Sequence, residues 1–162
     1  MSVLKRTITQ PAVVALGSNQ GDRGETLLAA ARELAETAGV ELTAMSGLHE
    51  TVAVRVDGPD ESAPPYLNAV AVLRTTLTPH ALLARLHEIE QAHGRVRTER
   101  WGDRTLDLDI IDFAGLRSSD ETLTLPHPRA HERDFVLRPW LEADPAATLG
   151  GRRVAELLEA LG

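Results

Sequence analysis

The run RTLDLDII, residues 104–111, sets Asp107 and Asp109 two apart among Leu and Ile. Successive side chains on a strand alternate between faces, so Leu106, Leu108 and Ile110 point one way and the two carboxylates the other. Their Cβ atoms then lie about 7 Å apart, too far to share a proton and suited to bracketing one or two cations. A solvated outer face gives the same alternation, so the pair alone leaves both readings open. Just upstream, Arg95, Arg97, Arg100 and Arg104 fall close together. Guanidinium is a permanently charged, planar fork matched to phosphate oxygens. A basic loop feeding a strand with paired carboxylates therefore points to a polyphosphate held jointly by arginine and Mg²⁺. Glu99 and Asp103 in the same loop keep a salt-bridged surface loop as the alternative.

The aromatic residues are Tyr66, Trp101, Phe113, Phe135 and Trp140. Tyr66 lies two residues from Asn68, Trp101 sits inside the arginine loop, and Phe135 follows the polar run HERD. Flat heterocycles are commonly bound by ring stacking plus an amide that reads their donor and acceptor edge. Taken singly, each ring is better read as core. Other chemistries have little support. GSNQGDRG lacks the spacing and the Lys-Ser/Thr ending of a Walker-type phosphate loop. His127 and His131 have the spacing of two zinc ligands on a helix turn, but Pro126 and Pro128 interrupt it. No nucleophile elbow is present.

The chain has 162 residues, which suits one domain, 1–162, with a core that needs no metal or disulfide. With 17 basic against 24 acidic residues the net charge is -7, which argues against a protein that grips a long nucleic acid. Lys5 is the sole lysine, so the positive charge is almost all arginine and its placement carries the information. Cysteine is absent, which excludes disulfides, a thiolate nucleophile and Cys-ligated zinc, and fits a reducing compartment. Apolar runs fall far short of the roughly 20 residues that cross a bilayer, and no signal peptide is evident. A cytoplasmic monomer without membrane partners is the expectation.

These residues must be positioned by regular elements. Residues 12–16, AVVAL, read as a buried strand ending at Gly17 in a GSNQGD turn. Asp22 with Glu25 predicts a capping box that opens a helix with Leu27, Leu28, Ala31, Leu34 and Ala35 on one face and Gly39 closing it. Residues 40–50 read as a strand, 51–65 as a long loop and 66–74 as a strand. Thr78 as N-cap and Pro79 at the first helical position open a second helix, striped by Leu82, Leu83, Leu86 and Ile89. A polar loop, 94–103, leads into the carboxylate strand. The order strand, helix, strand, strand, helix, strand predicts a ferredoxin-like α+β fold, with helices on one face of an antiparallel sheet. A C-terminal helical extension follows: an irregular LPHPRAHERDF segment, a short helix over about 136–142 and another over about 153–161.

LGSNQGD (16–22), PPYLNAV (64–70), GRVRTERWGDRTLDLDI (94–110) and LPHPRAHERDFVLRP (125–139) together resemble the four signature stretches of the 6-hydroxymethyl-7,8-dihydropterin pyrophosphokinase family of folate biosynthesis. The resemblance implies a ferredoxin-like fold and transfer of the β,γ-diphosphate of ATP to the pterin hydroxymethyl group, releasing AMP. It implies that Asp107 and Asp109 hold two Mg²⁺ ions, with Asp107 also near the pterin hydroxyl. Arg95 and Arg104 would contact the transferring phosphates and form the catalytic set with Asp107. Glu90, Arg97, Trp101, Thr124, His127 and Arg133 would surround ATP, together with His87, which stands where members often have Gln. Tyr66 and Phe135 would sandwich the pterin, Asn68 would read its edge, Thr51 would contribute from the long loop, and Trp101 would close over the site.

Three departures from the family pattern stand out. Val52-Ala53-Val54-Arg55 follows Thr51 where a Pro and a Gly are usual, Asp103 replaces a Pro, and Arg138 stands where an apolar residue is common. Two competing readings are a nucleotide-holding module without chemistry, which would not need the dyad and the arginines together, and a kinase acting on another heterocycle.

Overall fold

The central strand, β1 (Gln10–Ser18), is buried on both faces along most of its length, so both sides of the sheet must be covered there. The computed structural model describes residues 8–19, 22–51, 54–55, 58–59, 66–93 and 106–162. After β1 come α1 (Arg23–Ala35), β2 (Val40–Met45), β3 (His49–Thr51), β4 (Val54–Arg55), β5 (Gly58–Pro59), β6 (Tyr66–Thr75), α2 (Pro79–Ala92) and β7 (Asp107–Phe113). The remainder comprises β8 (Ser118–Ser119), β9 (Thr124–Leu125), a 3-10 turn (Ala130–Glu132), α3 (Asp134–Ala143), β10 (Thr148–Leu149), β11 (Arg152–Arg153) and α4 (Val154–Ala160).

The main sheet runs β2-β6-β1-β7, with β3 also on β6, and every pairing is antiparallel. Both β1 and β2 oppose β6, so they run parallel to each other with β6 between them, the split βαβ arrangement of the ferredoxin-like fold. Helices α1 and α2 form as their caps predict. The Asp22 carboxylate accepts from Glu25 N–H at 3.2 Å, and Thr78 Oγ1 accepts from Ala81 N–H at 3.2 Å. Each such cap stabilises its helix by about 1 kcal/mol. Leu27, Leu34, Leu82, Leu86 and Ile89 from these helices meet Val14, Leu16, Leu108 and Ile110 on the first face of the sheet.

The second face is covered too, which corrects the expectation of helices on one face. Val13, Val70 and Ile111 point away from α1 and α2 and are buried under Val136, Leu137 and Trp140 of α3 and Val154 and Leu157 of α4. Trp140 is 2% exposed. Burying a side chain of that size contributes roughly 3 kcal/mol, enough to dock the C-terminal helices on the sheet.

Other boundaries also differ from expectation. The strand expected over 40–50 breaks after Met45, where Ser46 N–H donates to Val70 O and Ser46 Oγ accepts from Val70 N–H, each at 2.9 Å. Pairing with β6 resumes only at His49. The segment expected as a loop over 51–65 contains the short β4–β5 pair. Strand β7 carries a bulge against β1 at Ile111, between the pairs Val14–Ile110 and Val13–Asp112. The bulge returns Phe113 to the α1/α2 core while Ile111 stays on the opposite face. Among the described residues no helix is long and apolar enough to cross a membrane.

Candidate active site

At the end of the sheet where β1 finishes, a pocket of about 490 Å³ opens on the second face beside the start of α3. Volumes of this size suit small organic ligands. The pocket is lined by Ala15, Gly17, Asn68, Asp107 and Asp109 among others, contributed by three adjacent strands. Register explains the arrangement. Gly17 is paired with Asn68 on one side and Asp107 on the other, and Ala15 with Val70 and Asp109. Two strand spacings therefore separate Asn68 from Asp107, about 10 Å, with a glycine between them.

Thr51 and Tyr66, paired across β3 and β6, line the same pocket, as do Arg133, Phe135 and Val136 at the start of α3, Glu132 in the 3-10 turn and Arg129 just before it. Asn68 is buried, and its Nδ2 donates to Thr51 Oγ1 at 2.7 Å. The Arg133 guanidinium lies 5.5 Å from the Phe135 ring centroid, close enough for cation–π attraction. The two carboxylates face the pocket while Leu106, Leu108 and Ile110 are buried against the helices, the division that alternation requires. Among the described residues no cluster of three or more His, Cys, Asp or Glu could enclose a metal. Two hard carboxylates facing an open pocket are instead a donor set for Mg²⁺, which keeps waters and takes further ligands from substrate phosphates.

Seven of the residues singled out from the sequence thus come together: Thr51, Tyr66, Asn68, Asp107, Asp109, Arg133 and Phe135. His87 and Thr124 are exposed and lie outside the pocket lining. Glu90 is 2% exposed, and its Oε2 accepts from Leu108 N–H at 2.9 Å. That amide lies between the two aspartates in sequence, so the α2 carboxylate braces the strand from the opposite face. Arg95, Arg97, Trp101 and Arg104 lie outside the described residues. Arg129, Glu132 and Gly17 line the pocket without having been singled out. The first two belong to the LPHPRAHERDF segment, whose alternating charges were the available signal.

Two further groups set local electrostatics. His127 N–H donates to Ile111 O at 2.8 Å, and its Nδ1 accepts from Arg129 N–H at 3.2 Å, which leaves the ring proton on Nε2. Burial, then the nearby charges of Arg133 and Arg129, hold this imidazole below its usual pKa. Glu142 near the end of α3 accepts from Gly47 N–H and pairs with His49 Nε2 at 2.8 Å. Those contacts, the Gly47 bond foremost, keep its carboxyl below the usual range. They tie the α3 helix, which carries Phe135, to the strand that carries Thr51.

The family model of 7,8-dihydro-6-hydroxymethylpterin-pyrophosphokinase matches residues 13–145. A 2-amino-4-hydroxy-6-hydroxymethyldihydropteridine pyrophosphokinase of Methylorubrum extorquens is 41% identical over 150 residues, covering 93% of this chain and 92% of that protein. The protein of the same name from Bacillus subtilis is 43% identical over 131 residues, covering 81% of this chain and 76% of that one. Among solved structures, Plasmodium falciparum HPPK-DHPS with pterin and p-hydroxybenzoate superposes with a TM-score of 0.71 at 14% identity. That match covers 96% of this chain and 43% of the Plasmodium chain, so the likeness is one of fold. The chain belongs to the 7,8-dihydro-6-hydroxymethylpterin-pyrophosphokinase family of diphosphotransferase enzymes.

Proposed function

We propose that the protein transfers diphosphate from ATP to the hydroxymethyl group of 6-hydroxymethyl-7,8-dihydropterin, the pyrophosphokinase step of folate synthesis. The observation that carries this reading is one pocket in which Asp107 and Asp109 from β7, Tyr66 and Asn68 from β6, and Arg133 and Phe135 from α3 face the same space. In the reaction the pterin hydroxyl oxygen forms a bond to the β-phosphorus, the bond between that phosphorus and the α,β-bridging oxygen breaks, the hydroxyl proton departs and AMP leaves.

Each group has a part in that chemistry. Tyr66 and Phe135 hold the flat ring between them, and Asn68 with Thr51 fixes its rotation. The hydroxymethyl arm then points along the floor toward Asp107, which orients the hydroxyl. Asp107 and Asp109 would hold two Mg²⁺ ions, whose charge would offset that of the transferring phosphates. Arg95 and Arg104 act on the transferring group, where charge redistributes as the bond to AMP breaks. Arg97, Trp101, His87, Glu90, Thr124, His127 and Arg133 belong to the nucleotide side. His127, kept neutral with its proton on Nε2, is a donor suited to a phosphate oxygen. The chain works as a single domain, 1–162, as a monomer and in the cytoplasm, where ATP is supplied.

Incubation with ATP, Mg²⁺ and the reduced pterin alcohol, followed by identification of the nucleotide product, tests the reading. AMP is the expected product. ADP would mark a simple kinase, and absence of turnover would favour a nucleotide-holding module.

A further inference from the structure

Strand β3 is three residues long and, among the described residues, pairs with β6 alone. It follows the interruption of the ladder at residues 46–48, so hydrogen bonding within the sheet gives it little hold. Its task is nevertheless exacting. His49 and Thr51 point to the same face, Thr51 lines the pocket, and its Oγ1 accepts from Asn68 Nδ2 at 2.7 Å. A second anchor for β3 comes from α3. Glu142 Oε1 accepts from Gly47 N–H, and its Oε2 lies 2.8 Å from His49 Nε2, so one carboxylate grips the chain on both sides of Leu48. The grip has a firm base, because Val136, Leu137 and Trp140 of the same helix are buried against the sheet. Gly47 is suited to receive it. Its φ is not positive, so the backbone does not call for glycine, yet a Cβ there would lie 3.1 Å from Glu142 Oε1. The Glu142 side chain is 49% exposed, and an exposed ion pair adds little to global stability. The effect of this grip is therefore on local geometry.

We propose that Glu142 is a positioning residue for the flat substrate: by clamping Gly47 and His49 to α3 it fixes edge strand β3, and through β3 the Thr51 hydroxyl that orients the Asn68 amide. Glu142, Gly47 and His49 are not among the pocket-lining residues, so the clamp acts only through the strand it holds. Without it β3 keeps its pairs with β6 but loses its tie to the opposite wall of the pocket, which α3 supplies through Phe135. The inference rests on the pterin reading of the pocket and adds what holds one of its walls in register. None of the residues assigned to the nucleotide side lies on β3, so loosening this strand falls on the heterocycle.

The test is calorimetric titration of wild type, Glu142→Ala and Glu142→Gln with a non-hydrolysable ATP analogue and Mg²⁺, and then of each saturated protein with 6-hydroxymethyl-7,8-dihydropterin. Glu142→Ala is expected to weaken pterin binding about tenfold, short of the roughly hundredfold that misplacing a group by about 1 Å can cost. Its affinity for the ATP analogue should stay within about twofold of wild type. Glu142→Gln keeps an oxygen for Gly47 N–H and should recover most of the pterin affinity, a rescue that loss of packing alone would not produce. Pterin affinity of Glu142→Ala within about twofold of wild type would overturn the inference while leaving the proposed function standing. Equal losses for both ligands, or a glutamine variant as weak as the alanine one, would overturn it as well. A wild-type protein that binds no pterin overturns both readings. If Glu142→Ala does not fold, Gly47→Ala takes its place, because the added Cβ, 3.1 Å from Oε1, pushes the carboxylate off the N–H without deleting it. Weaker pterin binding with unchanged nucleotide affinity then supports the clamp, and unchanged pterin binding overturns it.

Discussion

Replacing Glu90 with alanine tests whether the carboxylate strand is braced from beneath. The side chain is 2% exposed and accepts from Leu108 N–H at 2.9 Å, so its removal leaves a buried amide without that acceptor. An orphaned buried donor costs about 1–3 kcal/mol, and the lost methylene about 0.8 kcal/mol more. The sum, roughly 2–4 kcal/mol, corresponds to a fall in Tm of roughly 4–16 °C for a domain of this size. Glu90→Gln keeps an amide oxygen in place of the carboxylate and should lose much less. Thermal unfolding of both variants, paired with titration of a non-hydrolysable ATP analogue, reads the two roles apart. A brace lowers Tm in Glu90→Ala and leaves the ATP affinity of Glu90→Gln near wild type. A Glu90→Ala protein that melts with the wild type, or a Glu90→Gln protein of normal Tm whose ATP affinity has collapsed, would refute the brace and return the residue to the nucleotide.

Asp107→Asn and Asp109→Asn should each lower turnover by roughly 10² or more while leaving the circular dichroism unchanged, because both side chains face the pocket and neither supports the core. Near-normal turnover of either variant at low millimolar Mg²⁺ would sink the metal assignment. Tyr66→Ala and Phe135→Ala should weaken pterin binding by about 1–3 kcal/mol with much smaller effects on ATP, and equal losses for both ligands in calorimetry would mark the rings as core instead. His127 has a folded pKa below its usual 6.5, so the unfolded chain takes up the proton first as pH falls. The stability this group contributes is complete above 6.5 and is lost as pH drops toward the folded value. Denaturant titrations from pH 8 to 5 should therefore show the wild type losing stability relative to His127→Gln, and parallel curves would contradict the shift.

The carboxylate face of β7 was legible because alternation is a local rule, and Leu106, Leu108 and Ile110 went to the helices as it demands. Tyr66 and Asn68 share the pocket for the same reason, being two apart on one strand. Caps at Asp22 and Thr78 were likewise local, each decided within three residues. What could not be read depends on distant partners. Val13, Val70 and Ile111 were recognisably apolar, but nothing near them says that residues 136–157 will cover them. The break after Met45 is fixed in part by Gly47 bonding to Glu142, 95 residues away. The bulge at Ile111 shifts the alternation by one residue, so the pattern that located the aspartates misassigns Phe113. Gly17 reads as turn punctuation in sequence, whereas in the fold it remains inside β1.

The two cores differ in how soon a growing chain can complete them. The α1/α2 core draws mostly on residues 12–113 and holds the strand that presents Asp107 and Asp109. The opposite core waits for Val154 and Leu157, because α4 packs under the segment that carries Arg133 and Phe135 into the pocket. During synthesis the sheet and its carboxylates can therefore be in place while half of the pocket wall has yet to dock. Affinity for a ligand of this pocket should therefore appear only once α4 has docked, after the sheet and its carboxylates are already in place.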